Sequence, residues 1–206
     1  MFITLEGPEG SGKTTAVETA VNKLKEMGYE IVRTREPGGT PISEQIRNVI
    51  LDKENTAMDP RTEALLYAAS RRQHLVEKVW PAIKEGKIVI CDRYLDSSLA
   101  YQGGARGLGV DNILNINLFA TENTWPDLTL LFDIDPRLGL ERIAKNSARE
   151  VNRLDLEKID FHNKVRQTFL DLAARYPERF VIIDASQDRD KVAEDTLKAI
   201  LDRLCK

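Results

Sequence analysis

The chain has 206 residues, of which 42% are hydrophobic, and this size and composition predict one domain, spanning residues 1–206, with a substantial core. Its formal net charge of −3 gives no support for a nucleic-acid-binding surface, and no segment approaches the roughly 20 apolar residues of a membrane span. The two cysteines, Cys91 and Cys205, form no disulfide framework, and we expect a reduced, cytoplasmic protein without an export signal.

Strand-like and helix-like segments alternate along the chain, which predicts an α/β fold with a parallel sheet covered by helices on both faces. The nearly continuous apolar segments predict five strands, Phe2–Glu6, Glu30–Thr34, Ile88–Asp92, Thr129–Ile134 and Phe180–Asp184. The predicted helices are Lys13–Met27, Pro41–Leu51, Pro60–Lys84, Asp96–Gln102, Asp111–Thr121, Pro136–Lys145, Leu156–Tyr176 and Asp190–Leu204.

Residues 7–14, between the first strand and the first helix, match the pattern G-x-x-x-x-G-K-[ST] of a phosphate-binding loop (P-loop). Glycines let such a loop turn its N–H groups toward one anion, and the following helix points its positive dipole end at the same place. We expect Lys13 to reach the β- and γ-phosphates of a nucleoside triphosphate and Thr14 to offer its hydroxyl to Mg²⁺. A glycine-rich turn without a ligand is the alternative. The predicted triphosphate-binding residues are Gly7, Pro8, Glu9, Gly10, Ser11, Gly12, Lys13, Thr14 and Thr15.

Two loops interrupt the alternation of strands and helices. Residues 35–40 form a turn-rich loop at the carboxyl end of the second strand, where ligands of open parallel sheets bind. Residues 146–153 are polar, charged and poorly periodic, and we interpret them as a mobile flap.

The third predicted strand ends in Asp92, which is followed by Arg93. A carboxylate delivered beside a P-loop is suited to organising Mg²⁺, and an arginine next to it can hold a second phosphate through two parallel hydrogen bonds. The alternative is an aspartate that caps a turn, followed by an ordinary surface arginine.

Basic residues cluster at the end of the seventh predicted helix and in the flap. Arginines that close over a transferring phosphoryl group stabilise its charge and exclude water, although most charged segments are solvated helix ends. The cluster consists of Arg142, Lys145, Arg149 and Arg153.

Tyr67 and Arg71 lie four residues apart and therefore on one helix face, where they could stack on a flat base and bond its edge. A core tyrosine and a surface arginine would give the same spacing. His74 and His162 have no ligand-like spacing to cysteine or acidic residues and suggest neither a metal site nor catalysis. Several apolar residues of this helix are predicted core or subunit-contact positions: Leu65, Leu66, Leu75, Val76 and Val79.

From Phe2 to about Phe161 the chain resembles the bacterial thymidylate kinases, a family of P-loop nucleoside monophosphate kinases. Four motifs carry the resemblance: Glu6–Thr15, Arg35–Gly39, Cys91–Gln102 and Asn152–Asp155. The P-loop is shared by many families, whereas Asp-Arg-Tyr followed by Ser-Ser-x-Ala-Tyr-Gln, together with Arg-Glu-Pro-Gly-Gly, is specific.

The resemblance implies a three-layer P-loop kinase fold with a five-stranded parallel sheet and a flexible lid at about residues 142–154. It implies transfer of the γ-phosphoryl group of ATP to thymidine monophosphate (dTMP), giving dTDP and ADP for dTTP biosynthesis. Mg²⁺ would accompany ATP, and the protein would be a cytoplasmic homodimer that binds neither nucleic acid nor membrane.

The resemblance also assigns roles to residues. Glu9 would lie near the sugar hydroxyl of dTMP, Arg93 would hold the acceptor phosphate with Arg47 as a second contact, and Asp92 would lie near the metal. Tyr67 would stack on thymine in place of the more common phenylalanine, and Arg71 would bond the base edge. The remaining pocket residues implied are Glu36, Ser98, Tyr101 and Gln102, with Tyr101 placed to disfavour a ribose 2′-hydroxyl.

The family supplies its catalytic arginine either from the P-loop or from the lid. Position 10 is glycine here, so the resemblance assigns that role to the lid, with Arg142, Arg149 and Arg153 as candidates. Two alternatives stay open: a kinase of the same fold that acts on another nucleoside or nucleoside monophosphate, and a P-loop switch protein that hydrolyses its nucleotide to change partners.

Overall fold

A computed structural model describes residues 1–145, 154 and 157–205 of the chain. Its sheet has five parallel strands in the spatial order β2-β3-β1-β4-β5. The strands are β1 (Phe2–Glu6), β2 (Ile31–Arg35), β3 (Ile88–Asp92), β4 (Leu128–Asp133) and β5 (Phe180–Asp184). The prediction of a five-stranded parallel sheet is confirmed, and β2 and β4 differ from the predicted bounds by one residue at each end.

Helices cover both faces of the sheet. The helices are α1 (Lys13–Glu26), α2 (Pro41–Leu51), α3 (Pro60–His74), α4 (Trp80–Lys84), α5 (Leu95–Ser98), α6 (Val110–Thr121), α7 (Pro136–Lys145), α8 (Ile159–Arg175) and α9 (Arg189–Leu204). Strand β1 shows how the two cores form, because successive side chains point to opposite faces. Ile3 and Leu5 pack in the core beneath α1 and α9, whereas Phe2 packs in the core beneath α3, α6 and α8.

The segment predicted as one helix from Pro60 to Lys84 is divided by a wide π-helical turn at Leu75–Val79. Pro81 explains the division, because proline has no N–H to donate and its ring clashes with the carbonyl four residues earlier. The predicted helix Asp96–Gln102 is likewise shorter, since α5 ends at Ser98 and a second π-helical segment, Leu99–Ala105, follows it.

The two strands at the edges of the sheet are less buried than their apolar sequences predicted. Strands β1, β3 and β4 are buried almost throughout, but the outer strands β2 and β5 alternate between covered and exposed residues, with Ile182 of β5 52% exposed. Among the described residues, no helix combines the length and the apolar character that crossing a bilayer requires. The flap predicted at residues 146–153 lies outside the described residues.

Candidate active site

A cleft of about 510 Å³ opens at the carboxyl ends of the strands, with the P-loop on one side and the loop after β2, α2 and α3 on the other. Most of the side chains predicted from sequence to form the site meet there. Those that line the cleft are Glu9, Gly10, Ser11, Gly12, Lys13, Thr14, Thr15, Glu36, Arg47, Tyr67, Arg71, Asp92, Arg93, Ser98, Tyr101, Gln102 and Arg142. Two ligands that approach from opposite sides can therefore meet in one cavity.

The P-loop folds around the ammonium group of Lys13. Its Nζ donates to the carbonyl oxygens of Gly7 at 3.1 Å and Pro8 at 3.0 Å and to Oγ of Ser11 at 3.0 Å. Burial, together with the neighbouring charge of Arg93, lowers the pKa of Lys13 to about 8. Helix α1 begins at this lysine, so its unpaired N–H groups and positive dipole end face the cleft. The arrangement is suited to binding a polyanion.

Arg93 lies at the centre of the cleft in a left-handed backbone conformation, with φ +68°. Its guanidinium donates to the carbonyl oxygen of Gly7 at 3.2 Å, to Oγ of Ser97 at 3.1 Å and to Oε1 of Glu9 at 2.9 Å. Burial alone would lower its pKa, but Tyr101 and Glu9 hold the pKa of Arg93 well above its usual value. A permanent positive charge is thus fixed beside the P-loop. The alternative of an ordinary surface arginine is wrong.

Glu9 is a buried residue of the P-loop that lines the cleft. Its carboxylate pairs with Arg93 and accepts a hydrogen bond from the Tyr101 hydroxyl. Burial would raise the pKa of Glu9, but the charges of Arg93 and Lys13 hold it below its usual value. An ionised carboxylate can only accept hydrogen bonds, so Glu9 is suited to receive a hydroxyl group of a ligand.

Glu6, at the end of β1, belongs to the same network, and the sequence did not identify it as a site residue. It is fully buried, accepts the N–H of Tyr94 at 2.8 Å and lies 2.5 Å from Oγ of Ser97, the hydroxyl that also contacts Arg93. Burial, and then the charge of Asp96, raises the pKa of Glu6 to about 8. Glu6 therefore ties β1 to the turn that carries Arg93. A carboxylate at the end of an otherwise apolar strand was the available signal.

Two hard oxygen donors that suit Mg²⁺ face the cleft at the P-loop end. The Thr14 side chain is exposed at the second residue of α1, and Asp92 ends the central strand β3. No side chain among the described residues donates a hydrogen bond to the Asp92 carboxylate, which leaves its oxygens available to a cation or its water shell. The donor set therefore fits the metal that the sequence predicted.

Arg71 is buried on the other side of the cleft, only 1% exposed, so the surface arginine that the sequence allowed is wrong. Four groups accept from its guanidinium: Nε donates to Glu36 at 2.7 Å, Nη1 to Ser98 at 3.1 Å and to Asn117, and Nη2 to the carbonyl of Tyr94 at 3.0 Å. A guanidinium has five N–H groups. Among the described residues, one N–H on Nη2 is left to face a ligand.

Glu36 and His74 lie together behind Arg71. The Glu36 carboxylate contacts Arg71 through one oxygen and Nδ1 of His74 through the other, at 2.9 Å. The thiol of Cys91 lies near both, so that one potential ligand atom of each residue lies within 4.8 Å of the others. Sequence spacing thus did not indicate that His74 has an acidic and a cysteine neighbour in the fold. Each of these groups already has a hydrogen-bond partner, and the cation of Arg71 contacts the same carboxylate.

The remaining predicted acceptor residues surround this network. Tyr67 lines the cleft at half burial, one helical turn before Arg71. Arg47 lines it from α2 and donates to the carbonyl of Pro37 at 2.9 Å, and burial together with the charge of Arg35 lowers its pKa. Gln102 donates its amide to Glu63 at 2.8 Å. An aromatic ring, a cation and several hydrogen-bonding groups thus share one wall.

Arg142 is the lid candidate that the structure describes. It lies on α7, lines the cleft near the P-loop, and its Nη1 donates to the carbonyl of Ala185 at 2.9 Å. Lys145 ends the same helix and is exposed. Arg149 and Arg153 lie outside the described residues.

The fold and the cleft define a P-loop nucleotide-binding α/β protein that has space and positive charge for a second anionic ligand. The family model described as Thymidylate kinase matches residues 5–196. The chain belongs to the thymidylate kinase family.

Individual relatives support this assignment. The chain is 63% identical over 194 residues to a thymidylate kinase of Clostridium novyi, covering 94% of this chain and 95% of that one. It is 57% identical to a thymidylate kinase of Bacillus velezensis, with 100% and 97% covered. The crystal structure of a thymidylate kinase from Ehrlichia chaffeensis superposes with a TM-score of 0.78 at 33% identity, with 98% of each chain covered.

Proposed function

We propose that this protein is an ATP:dTMP phosphotransferase that transfers the γ-phosphoryl group of ATP to dTMP and so contributes to dTTP biosynthesis. The observation that carries the proposal is Arg93, whose guanidinium donates to Gly7 and Glu9 of the P-loop and which lines the same cleft as Tyr67 and Arg71. A donor nucleotide on the P-loop and an acceptor nucleotide on the opposite wall would meet at this cation. Membership of the thymidylate kinase family agrees with this chemistry.

On the donor side, the N–H groups of Gly7–Thr15 and the Lys13 ammonium would hold the phosphates of ATP. A bound triphosphate offers Lys13 anionic partners in place of the carbonyl oxygens that it now contacts. Thr14 and Asp92 would hold Mg²⁺, directly or through its water shell, and the ion would neutralise charge on the phosphates.

On the acceptor side, Arg93 and Arg47 would bind the phosphate of dTMP, and Glu9 would accept the hydroxyl of its sugar. Tyr67 would stack on thymine, and the free N–H of Arg71 would donate to the base edge. Glu36, Ser98 and Gln102 line the same cleft, but their side chains contact Arg71, His74 and Glu63. We therefore assign these three residues to shaping the pocket.

Catalysis on this site is mainly a matter of positioning and charge. The phosphates of two anionic nucleotides must be brought in line although they repel each other. The positive charges of Lys13, Arg93 and the lid arginines would offset this repulsion. We propose that residues of about 142–154 form the lid and that Arg142, Arg149 and Arg153 supply its positive charge. Closure would exclude water from the γ-phosphoryl group, so that the acceptor phosphate and not water attacks it.

A coupled assay of ADP formation with ATP and a panel of nucleoside monophosphates tests the reaction. We expect formation of ADP that depends on dTMP and on Mg²⁺. Comparable rates with cytidylate or guanylate would favour another monophosphate kinase of this fold. Equal ATP consumption with and without dTMP would favour a nucleotide-hydrolysing switch protein.

We further propose that the protein is a homodimer and that it acts in the cytoplasm as one domain. Three exposed apolar residues support the dimer, Leu65 of α3, Val76 of the π-helical turn that follows α3 and Phe119 of α6. Phe119 is 90% exposed and Leu65 is 57% exposed. Arg72, which lies on the same face of α3 as Leu65, donates a hydrogen bond to the carbonyl of Ala120 on α6. The two cysteines, a buried Cys91 and an exposed Cys205 without a disulfide, suit a reducing compartment.

A further inference from the structure

A buried chain of hydrogen bonds runs behind the wall of the cleft that carries Arg71. Oγ1 of Thr34 lies 2.6 Å from Nε2 of His74, and Nδ1 of His74 lies 2.9 Å from Oε1 of Glu36. The other oxygen of Glu36 accepts from Nε of Arg71 at 2.7 Å. The His74 side chain is completely buried and does not line the cleft, whereas Glu36 and Arg71 do. It thus contacts the base-recognition arginine only through Glu36.

The chain of hydrogen bonds has a defined direction. A carboxylate can only accept, so Nδ1 of His74 carries the proton that Glu36 receives. In the neutral ring Nε2 is then an acceptor, and the hydroxyl of Thr34 is its donor. Glu36 therefore sets the tautomer of His74, and the Thr34 hydroxyl holds the other end of the ring by donating to Nε2. Hydrogen bonds to a charged group in a buried site are among the stronger ones, and they fix the orientation of both partners.

The loop after β2 packs closely against the His74 ring. Gly39 of the loop after β2 lies against it, and a Cβ at that glycine would lie 2.7 Å from Oγ1 of Thr34 and 2.9 Å from Cδ2 of His74. The same loop is joined to α3 by Gly38, whose N–H donates to Oγ of Ser70 at 3.3 Å. The loop and α3 therefore hold His74 between them, and Glu36 links the ring to Arg71.

We propose that His74 is a positioning residue for recognition of the acceptor base: it fixes the carboxylate of Glu36, which in turn aims the guanidinium of Arg71 into the cleft. His74 does so without contacting the nucleotide. The inference rests on the proposed function for the role of Arg71, and it assigns to His74 a part in binding that no sequence pattern indicated.

The chemistry of amide side chains provides a matched pair of variants. In histidine, Nδ1 lies two bonds from Cβ, as the amide nitrogen of asparagine does, whereas Nε2 lies three bonds away, as in glutamine. His74→Asn therefore keeps a donor for Glu36 and loses the contact with Thr34. His74→Gln keeps a group for Thr34 and loses the donor for Glu36.

The test measures kcat and the KM values for dTMP and ATP with wild-type protein and both variants. We expect His74→Gln to raise KM for dTMP by about tenfold or more, as loss of a hydrogen bond to a charged group does, and to leave KM for ATP within about twofold. His74→Asn is expected to restore KM for dTMP to within about threefold of wild type. A wild-type KM for dTMP in His74→Gln, an equal defect in both variants, or parallel increases in both KM values would each overturn the proposal.

If thermal unfolding shows that a His74 variant does not fold, a second pair of variants, at Thr34, tests the role of His74. Thr34→Val removes the hydroxyl that holds Nε2 of His74 and so leaves the ring less firmly oriented toward Glu36, and Thr34→Ser retains that hydroxyl. We then expect a raised KM for dTMP in Thr34→Val alone, and a wild-type value there would overturn the proposal. If the wild-type protein uses another monophosphate, the proposed function fails, and the same variants measured with that acceptor still test the role of His74.

Discussion

Gly10 of the P-loop and Gly139 of α7 meet backbone to backbone. A Cβ on Gly10 would lie 2.0 Å from the carbonyl oxygen of Gly139, and a Cβ on Gly139 would lie 2.3 Å from the carbonyl oxygen of Glu9. Gly10 also has φ +72°, which side chains rarely adopt. An arginine at position 10 is therefore incompatible with this packing, and the close approach gives a physical reason why the P-loop carries no arginine there.

The contact predicts that Gly139→Ala impairs ATP binding. Alanine in a helix interior ordinarily stabilises by up to about 1 kcal/mol relative to glycine, but here its methyl group would push the P-loop away from α7. We expect KM for ATP to rise about tenfold or more. Steady-state kinetics with Leu138→Ala, on the exposed side of the same helix, provide the control. A normal KM in Gly139→Ala would show that the loop can move without loss.

Replacement of Arg93 is expected to abolish most of the turnover and to leave the fold intact. Arg93→Lys keeps a charge but cannot contact Gly7, Ser97 and Glu9 at once, so we expect a loss in kcat of about 100-fold or more. Circular dichroism would check folding. Arg175→Ala, which removes a surface pair with Asp111, is the matched arginine control. Near-normal turnover in Arg93→Lys would contradict the central role of this side chain.

The lowered pKa of Lys13 predicts how ATP binding depends on pH. Above about pH 8, Lys13 of the ligand-free protein is mostly deprotonated. A bound triphosphate favours the charged form of Lys13, so the lysine must take up a proton when ATP binds. We expect KM for ATP to be flat below pH 8 and to rise by up to about tenfold per pH unit above it. Lys13→Arg, which stays charged, should bind more weakly with no such rise. Calorimetry in buffers of different ionisation enthalpy would detect the proton directly.

Glu6 predicts a pH dependence of stability. Its pKa is raised to about 8 in the folded protein from 4.5, so the folded state binds more protons than the unfolded chain between these values. The unfolding free energy should therefore fall as pH rises from about 4.5 through 8. Glu6→Gln removes this titration. Urea unfolding should show the variant gaining stability relative to wild type across that interval, and parallel curves for the two proteins would contradict the assignment.

The exposed patch predicts the effect of a charge at the proposed subunit contact. Phe119→Asp places a carboxylate where burial against a second copy would desolvate it, and we expect dimer dissociation to become at least about 100-fold more favourable. Analytical ultracentrifugation at micromolar concentration measures this. Met27→Asp changes an exposed apolar residue at the end of α1 and serves as the control. A monomeric wild-type protein would reject the dimer.

Local signals in the sequence were sufficient for the sheet and for the P-loop. Strand β1 and the glycine pattern that follows it are adjacent in the chain, and their predicted bounds and placement agree with the structure. The wide turn at Leu75–Val79 was not foreseen, because Pro81 predicts a disturbed helix but not the form that the disturbance takes.

The supporting residues of the site could not be found in this way. Asn117 contacts Arg71 across 46 residues of sequence, and Ser97 reaches Glu6 across 91. Their partners are set by packing of helices on the sheet. Asn117 stands in none of the four motifs, and the motif that contains Ser97 does not indicate that its partner is Glu6. Sequence spacing does not indicate a role for His74 for the same reason, since its neighbour Glu36 is distant in sequence and close only in the fold.

The rigid setting of Arg71 bears on which pyrimidine the cleft admits. With its other N–H groups engaged by Glu36, Ser98, Asn117 and the carbonyl of Tyr94, the guanidinium cannot rotate to suit a different partner. The carbonyl oxygen of thymine can accept the remaining N–H, whereas the exocyclic amino group of cytosine would set donor against donor. Because a buried donor left unpaired costs more than the absence of a contact, we expect cytidylate to bind more weakly than dTMP.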